Sequence, residues 1–218
     1  LAESGPDAGI VRLSGLRGAA RAVAVAHLSR IHGERPVLVL VPNAKSCDTF
    51  VEDLRSALGT IAYDAPAGDR MFNPYRDTDG HDAPDAPALR QANLAAALDA
   101  VAEGGTPDVL VLAEAPGPWG CHFSGIPFTN ERQLLDPDFP VTGTPTSRQF
   151  AETGTPMREM SGGIYWDAML PHWGRFWTWN AVPLHPHKAD QPLTIRTPGV
   201  REVRRWHGLL QEMIGILQ

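Results

Sequence analysis

Four short runs bring together residue types that can do chemistry: Ala113-Glu114-Ala115-Pro116-Gly117, Gly125-Ile126-Pro127-Phe128, Trp179-Asn180-Ala181-Val182-Pro183 and Arg196-Thr197-Pro198. Glu114 follows an apolar stretch, Val-Leu-Val-Leu at 109–112, that reads as a buried strand. In an open α/β sheet, ligands bind beyond the carboxyl ends of strands, and a carboxylate placed there can orient or activate water. Asn180 closes a second candidate strand after Trp177 and Trp179 and carries one acceptor and two donors on a planar amide. Phe128 offers a stacking face. Each run also has a plain structural reading. Pro116-Gly117 is equally a simple turn, Phe128 a core ring behind a proline turn, and Asn180 a satisfied amide capping its strand.

Other groups with chemical potential are weaker by spacing. Cys47 and Cys121 are the only cysteines and stand far apart, so neither a disulfide framework nor a Cys-based metal site is implied. His185-Pro186-His187, with His207, has no acidic or Cys partner at ligand spacing, and no metal is expected. Residues 15–22 hold a glycine turn, but a phosphate loop needs a terminal Lys and a Ser or Thr, where Arg21 and Ala22 stand. Nucleotide hydrolysis is therefore not expected. A nucleotide-binding role centred on 15–22 stays the weakest of three functional options.

The elements that must position these residues alternate. A strand at 11–14, a glycine turn, a helix at 19–31, a β-branched strand at 37–41 and a helix at 46–58 with Phe50, Leu54 and Leu58 on one face make a βαβα segment. Residues 59–92, rich in Pro, Gly and Asp, read as a linker or long surface loop. A helix at 86–102, the strand at 108–112, an aperiodic stretch at 136–163, a helix at 164–170, a strand at 175–182 and one long helix at 199–217 follow. The order of elements predicts an α/β fold.

The net charge is −6 over 218 residues, but it is unevenly spread. Residues 67–174 carry 6 Lys and Arg against 15 Asp and Glu, whereas 175–207 carry 6 (Arg175, Lys188, Arg196, Arg201, Arg204, Arg205) against 2. Such a strip suits a phosphate backbone, or is simply the solvated face of a helix. No apolar run reaches the roughly 18 residues of a membrane span, and no secretory signal pattern opens the chain. The protein reads as a soluble, cytoplasmic monomer. Beginning at Leu1 and ending at Gln218 inside an amphipathic pattern, it also reads as a fragment.

In order and spacing, the four runs resemble the uracil-DNA glycosylase superfamily, nearest the branch whose first motif is Gly-Glu-Ala/Gly-Pro-Gly. Asn73-Pro74-Tyr75-Arg76 and Arg90-x-x-Asn93-Leu94 are similar to the opening segment of such domains, so the resemblance spans 67–218. It implies a three-layer α/β/α fold with a mostly parallel sheet, preceded here by the βαβα segment. It further implies hydrolysis of the N-glycosidic bond of a flipped uracil in DNA, without a cofactor. On this resemblance Glu114 and Asn180 are the catalytic candidates. Ala115, Phe128 and Asn180 border the uracil, and Pro116, Gly117, His185, His187, Lys188 and Arg196 meet DNA. Asn180 would read uracil O4 and N3–H and reject cytosine, whose donor pattern is reversed.

Departures from the family pattern matter. Ala113 replaces the leading Gly, and Ala115 stands where the most active relatives carry a catalytic Asp. Leu184 and Trp206 occupy two of the positions at which iron–sulfur members carry Cys, so no cluster is implied. The family's last motif, a His-Pro-Ser or His-Pro-Ala loop whose His stabilises the leaving uracil, is expected beyond Gln218. A non-catalytic DNA-repair interaction module is therefore the rival reading.

Residues 8–60, with Arg12-Leu13-Ser14-Gly15-Leu16-Arg17-Gly18 and Arg35-Pro36-Val37-Leu38-Val39-Leu40, resemble the first module of the bacterial transcription-repair coupling factor. The implied organisation is 1–66 as a coupling-factor-like segment that docks a repair protein, and 67–218 as the glycosylase-like domain.

Overall fold

The structure, a computed structural model, describes residues 2–4, 11–13, 37–40, 53, 56, 70–104, 107 and 109–216. The chain divides into two compact units, Leu1–Val37 and Leu38–Gln218. In the first, β1 (Ala2–Ser4) pairs antiparallel with β2 (Val11–Leu13), setting Glu3 opposite Arg12. The strand expected at 11–14 is there. Its partner β1 has no apolar alternation to announce it. The glycine turn at 15–18 and the helix at 19–31, and with them the nucleotide-binding option at 15–22, lie outside the described residues, as does the helix at 46–58 apart from Asp53 and Ser56, which are both helical.

The second unit is mixed α/β. Its larger sheet has the order β3 (Val37–Leu40), β5 (Val109–Ala113), β6 (Phe176–Asn180). Strands β5 and β6 are parallel, with Val109 opposite Phe176 and Ala113 opposite Asn180. Their β-branched, leucine and aromatic residues suit a pleated surface. Every residue of β6 is buried, so both faces of the strand are covered, the usual condition of parallel strands.

Helix α1 (Ala86–Gly104) precedes β5. Leu94, Ala97, Leu98 and Val101 recur at i, i+3, i+4 and i+7 and are all buried, the stripe that fastens an amphipathic helix to a core. Toward its N-terminus the same stripe turns polar, with Arg90 and Asn93 buried as well.

Residues 70–85 correct the linker expectation. Strand β4 (Met71–Phe72) pairs antiparallel with β7 (His185–Pro186), and Met71, Phe72, Asn73 and Tyr75 are all buried. Side chains here replace regular backbone pairing: Asn73 Oδ1 accepts from Tyr75 N at 3.0 Å, and Tyr75 donates to the Gly125 carbonyl at 2.7 Å. A Pro-, Gly- and Asp-rich composition looks like a linker when the hydrogen bonds that order it cross long sequence distances.

The aperiodic stretch is organised by one residue. Asn130 caps α3 (Glu131–Leu134) through a reciprocal box with Gln133. Glu131, wholly buried, accepts from Thr146 N (2.6 Å), Ser147 N (2.6 Å), Ser147 Oγ (2.7 Å) and Met157 N (2.8 Å). Ser147 in turn caps α4 (Arg148–Thr153), and α5 (Met160–Met169) begins ahead of the expected 164. A 3-10 turn, Leu170–His172, leads to β6. The long helix expected at 199–217 is two, α6 (Val200–Arg205) and α7 (His207–Ile216). Trp206 divides them because its buried indole turns the chain, with the Arg205 guanidinium 5.1 Å from its ring.

Candidate functional site at the carboxyl ends of strands β5 and β6

The parallel register brings the first and third runs to one sheet edge. Beyond the paired Ala113 and Asn180, Ala181 N donates to the Ala113 carbonyl (2.8 Å) and Val182 N to the Glu114 carbonyl (3.0 Å), so the two loops leave the sheet joined. Asn180 is buried, and its amide Nδ2 lies 3.6 Å from Cys121 Sγ. Glu114 is exposed, Ala115 half-buried, Pro116 buried and Gly117 half-buried.

From Gly117 the chain enters α2 (Cys121–Ser124), which ends at Gly125 with φ 77°. Gly is needed there twice over: the left-handed conformation disfavours a side chain, and a methyl would come within 2.6 Å of the Arg90 carbonyl oxygen. Ser124 Oγ donates to the Thr129 carbonyl (2.6 Å) and accepts from Ile126 N (3.0 Å), pinning the turn that carries the second run. Within it Phe128 has φ 55°, an uncommon and strained conformation for a bulky residue. Its half-buried ring stacks on Tyr165 at 4.2 Å and 11°. The Tyr165 hydroxyl bonds Thr178 Oγ1 on β6, and burial pushes it up to about 12. Strain of this kind persists where the surroundings enforce it, often at binding sites.

Sequence reasoning missed Glu159. It occupies the N-cap position of α5 and sends its carboxylate into the loop between Gly117 and Gly120, where a methyl on either glycine would overlap it. Burial raises its pKa, with a Ser161 hydrogen bond opposing. Burial first, and then the Glu159 charge, push the Cys121 thiol up, so Glu159, Cys121 and Asn180 converge. Asn130 Nδ2 donates to the Glu159 carbonyl (3.3 Å), and Gly162 packs so closely on the Phe128 carbonyl that no side chain fits. The start of α5 therefore clamps the Phe128 turn. In sequence Glu159 is one charge in an aperiodic stretch, and no spacing rule points to it. Trp119, in the same loop as the two glycines, is 40% exposed, and Met160 beside Glu159 is 82% exposed.

The glycine cradle gives a direct test. Gly120→Ala is expected to lower the free energy of unfolding by about 1–3 kcal/mol, the usual cost of overpacking. Adding Glu159→Ala is expected to restore most of it, because the colliding carboxylate is gone. Chemical denaturation of the two single variants and the double variant checks the coupling.

The groups expected to face DNA are sorted by burial. His185 is a correction: it is fully buried, with Nδ1 2.9 Å from His122 Nδ1 and Nε2 2.9 Å from the Thr194 carbonyl oxygen, and burial lowers its pKa to about 4. A phosphate cannot reach it without opening the fold. Arg196, partly exposed, is engaged in a local network. It donates to the carbonyls of His187 (3.1 Å) and Arg70 (3.0 Å) and forms a two-pronged pair with Glu202 at 2.8 and 2.6 Å. That pair holds the Glu202 carboxyl at about 2. His187 is half-buried, while Lys188, Arg201, Arg204 and Arg205 are exposed. Of the basic strip at 175–207, the exposed cations are Arg175 ahead of β6, Lys188 in the loop after β7, and Arg201, Arg204 and Arg205 on α6.

The arrangement gathers an amide at a strand end, a carboxyl of raised pKa in a glycine cradle, and a ring fixed by a strained turn. Among the described residues, no helix is long and apolar enough to cross a membrane. Compared with models of protein families and with curated protein sequences, the chain has no match to either.

Proposed function

We propose that residues 67–218 form a uracil-DNA glycosylase-like domain, a three-layer α/β/α arrangement around a mostly parallel sheet, that binds a flipped uracil in DNA and hydrolyses its N-glycosidic bond without a cofactor. The observation that carries the reading is the pairing of Ala113 with Asn180, which brings the Glu114 loop and the Asn180 amide to the same carboxyl edge of a parallel sheet. Ligands of open α/β sheets bind there.

In this reading Asn180 pairs with the uracil edge, and Phe128 stacks on the base after Tyr165 gives way. Glu114, exposed at the rim, orients water, and Ala115 leaves room beside the sugar. Glu159 adds a carboxyl that sequence alone does not supply. Pro116, Gly117, His187 and Lys188 track the backbone, and Trp119 and Met160 supply an apolar rim of the sort that wedges between base steps. Residues 1–66 serve as a docking surface for a repair protein.

A second reading, DNA binding without catalysis, is favoured by a specific set of contacts. The Phe128 face is taken by Tyr165, the Asn180 amide by Cys121, and the glycine cradle by Glu159. One experiment separates the two. Single- and double-stranded oligonucleotides with one uracil are incubated with the chain and then treated with alkali. Strand cleavage at the uracil is the expected result, and binding with no abasic product would leave the non-catalytic reading in its place.

A further inference from the structure

We infer that Asp79, Asp82 and His122 form a binding site for a divalent transition-metal cation of the zinc type, separate from the nucleobase site. Among the described residues, these three place one ligand atom each within 4.8 Å of one another. His185, His187 and His207, the histidines that stand out in the sequence, form no such group among the described residues.

Hydrogen bonding settles which way the His122 ring presents itself. His185 Nε2 lies 2.9 Å from the Thr194 carbonyl oxygen, which only accepts, so Nε2 carries the hydrogen. In the neutral ring Nδ1 is then a bare acceptor. His122 Nδ1 stands 2.9 Å from it and must donate, which leaves His122 Nε2 with a lone pair. That atom faces Asp79 Oδ2 at 3.7 Å, and neither has a hydrogen-bond partner, although His122 is fully buried.

A lone pair and a carboxylate oxygen repel. At 3.7 Å they are also too far apart to share one hydrogen. The gap is close to what two ligands require when each sits about 2.0–2.2 Å from one cation. Asp82 supplies the third ligand; its own position is fixed by Arg90 and by Asp79 N, which donates to Oδ2 at 3.0 Å. Arg90 neutralises one carboxylate of the pair and leaves the other. On the carboxylate side lies a cavity of about 380 Å³ lined by Asp79, Asp82, Arg148 and Glu152. One imidazole with carboxylate oxygens selects a borderline cation over Mg²⁺ or Ca²⁺, which prefer all-oxygen sets. A bound ion would tie the 79–82 loop to α2, and α2 leads straight into the turn that holds Phe128.

The test uses the whole chain stripped with a chelator, with zinc added in competition with a chromophoric chelator and thermal unfolding followed in parallel. One zinc per chain, and an unfolding midpoint that climbs with free zinc but not with Mg²⁺, are expected. The Asp79 side chain is 16% exposed, and the near-isosteric Asn leaves the His122 ring on Phe72, where it stacks at 4.1 Å. Asp79→Asn is expected to weaken zinc binding at least tenfold, whereas His187→Ala binds as the unaltered chain does. Absence of stoichiometric zinc, equal stabilisation by Mg²⁺, undiminished binding in Asp79→Asn or loss of binding in His187→Ala would each overturn the site.

Discussion

Asn180→Ala removes uracil release while leaving the chain folded. On the proposed function, the single-turnover rate of abasic-site formation falls about 10²–10³-fold, the loss typical when one donor to a developing anion is deleted. The fold has little at stake in this side chain. Its amide donates only to Cys121 Sγ at 3.6 Å, a weak acceptor, so the stability change is about 1 kcal/mol. That contrast makes the variant informative: a large loss of rate with a small loss of stability locates chemistry at Asn180. Asn180→Asp sharpens it, because a carboxylate only accepts and cannot donate to uracil O4. Alkali-cleavage rates measured beside circular-dichroism melts decide the matter. Unaltered rates in both variants would move the reacting base elsewhere.

Arg90→Met is expected to bring the largest loss of stability, about 3–5 kcal/mol, as happens when one partner of a buried ion pair is removed. Arg90 is fully buried on α1 and donates to the Pro74 carbonyl (2.9 Å), the Asp77 carbonyl (3.3 Å), Thr146 Oγ1 (3.2 Å) and Asp82. Its guanidinium also lies 5.3 Å from the Phe72 ring. One side chain thus joins α1, the 73–77 turn, the 79–82 loop and the segment before α4. Methionine fills the volume but takes the guanidinium donor away from the Pro74 and Asp77 carbonyls, Thr146 Oγ1 and Asp82 Oδ1, leaving Asp82 only the Asp79 N–H on its other oxygen. Burial already pushes the Asp82 carboxyl up to about 6 with Arg90 present, and losing the guanidinium raises it further. Arg90→Lys is expected to recover only part of the loss, since a point charge cannot meet four acceptors in the fork geometry of a guanidinium. Urea unfolding with a common slope measures both variants. A change under 1 kcal/mol in Arg90→Met would mean that the network contributes little.

The strands and the first helix were legible because their composition is local: continuous apolar runs for the strands and an Ala- and Leu-rich run for the helix. Val-Leu-Val-Leu at 109–112 and Phe-Trp-Thr-Trp-Asn at 176–180 announce buried strands, and the Ala- and Leu-rich composition of 86–102 announces α1, whose buried face at 94, 97, 98 and 101 only the packing revealed. What escaped was ordered by side chains acting across long separations. Residues 70–85 look like a linker until Tyr75 is seen bonded to Gly125, fifty positions away. The stretch before α5 looks aperiodic until Glu131 is seen gathering the backbone of residues 146, 147 and 157. The split at Trp206 followed from burial of one indole, and the withdrawal of His185 from the surface from the pairing of β7 with β4.

By itself the sequence determined an α/β succession of elements, which runs lie at strand ends, and that Glu114, Phe128 and Asn180 are the residue types to watch. Those features depend on local periodicity and residue chemistry, which neighbouring positions carry among themselves. Only the tertiary structure decided that Asn180 stands beside the Glu114 loop, that Phe128 faces Tyr165, that Glu159 fills the glycine cradle and that His122 meets Asp79. Each of these is a contact between segments distant in the chain, fixed by strand register and close packing, and neither leaves a pattern in either segment alone.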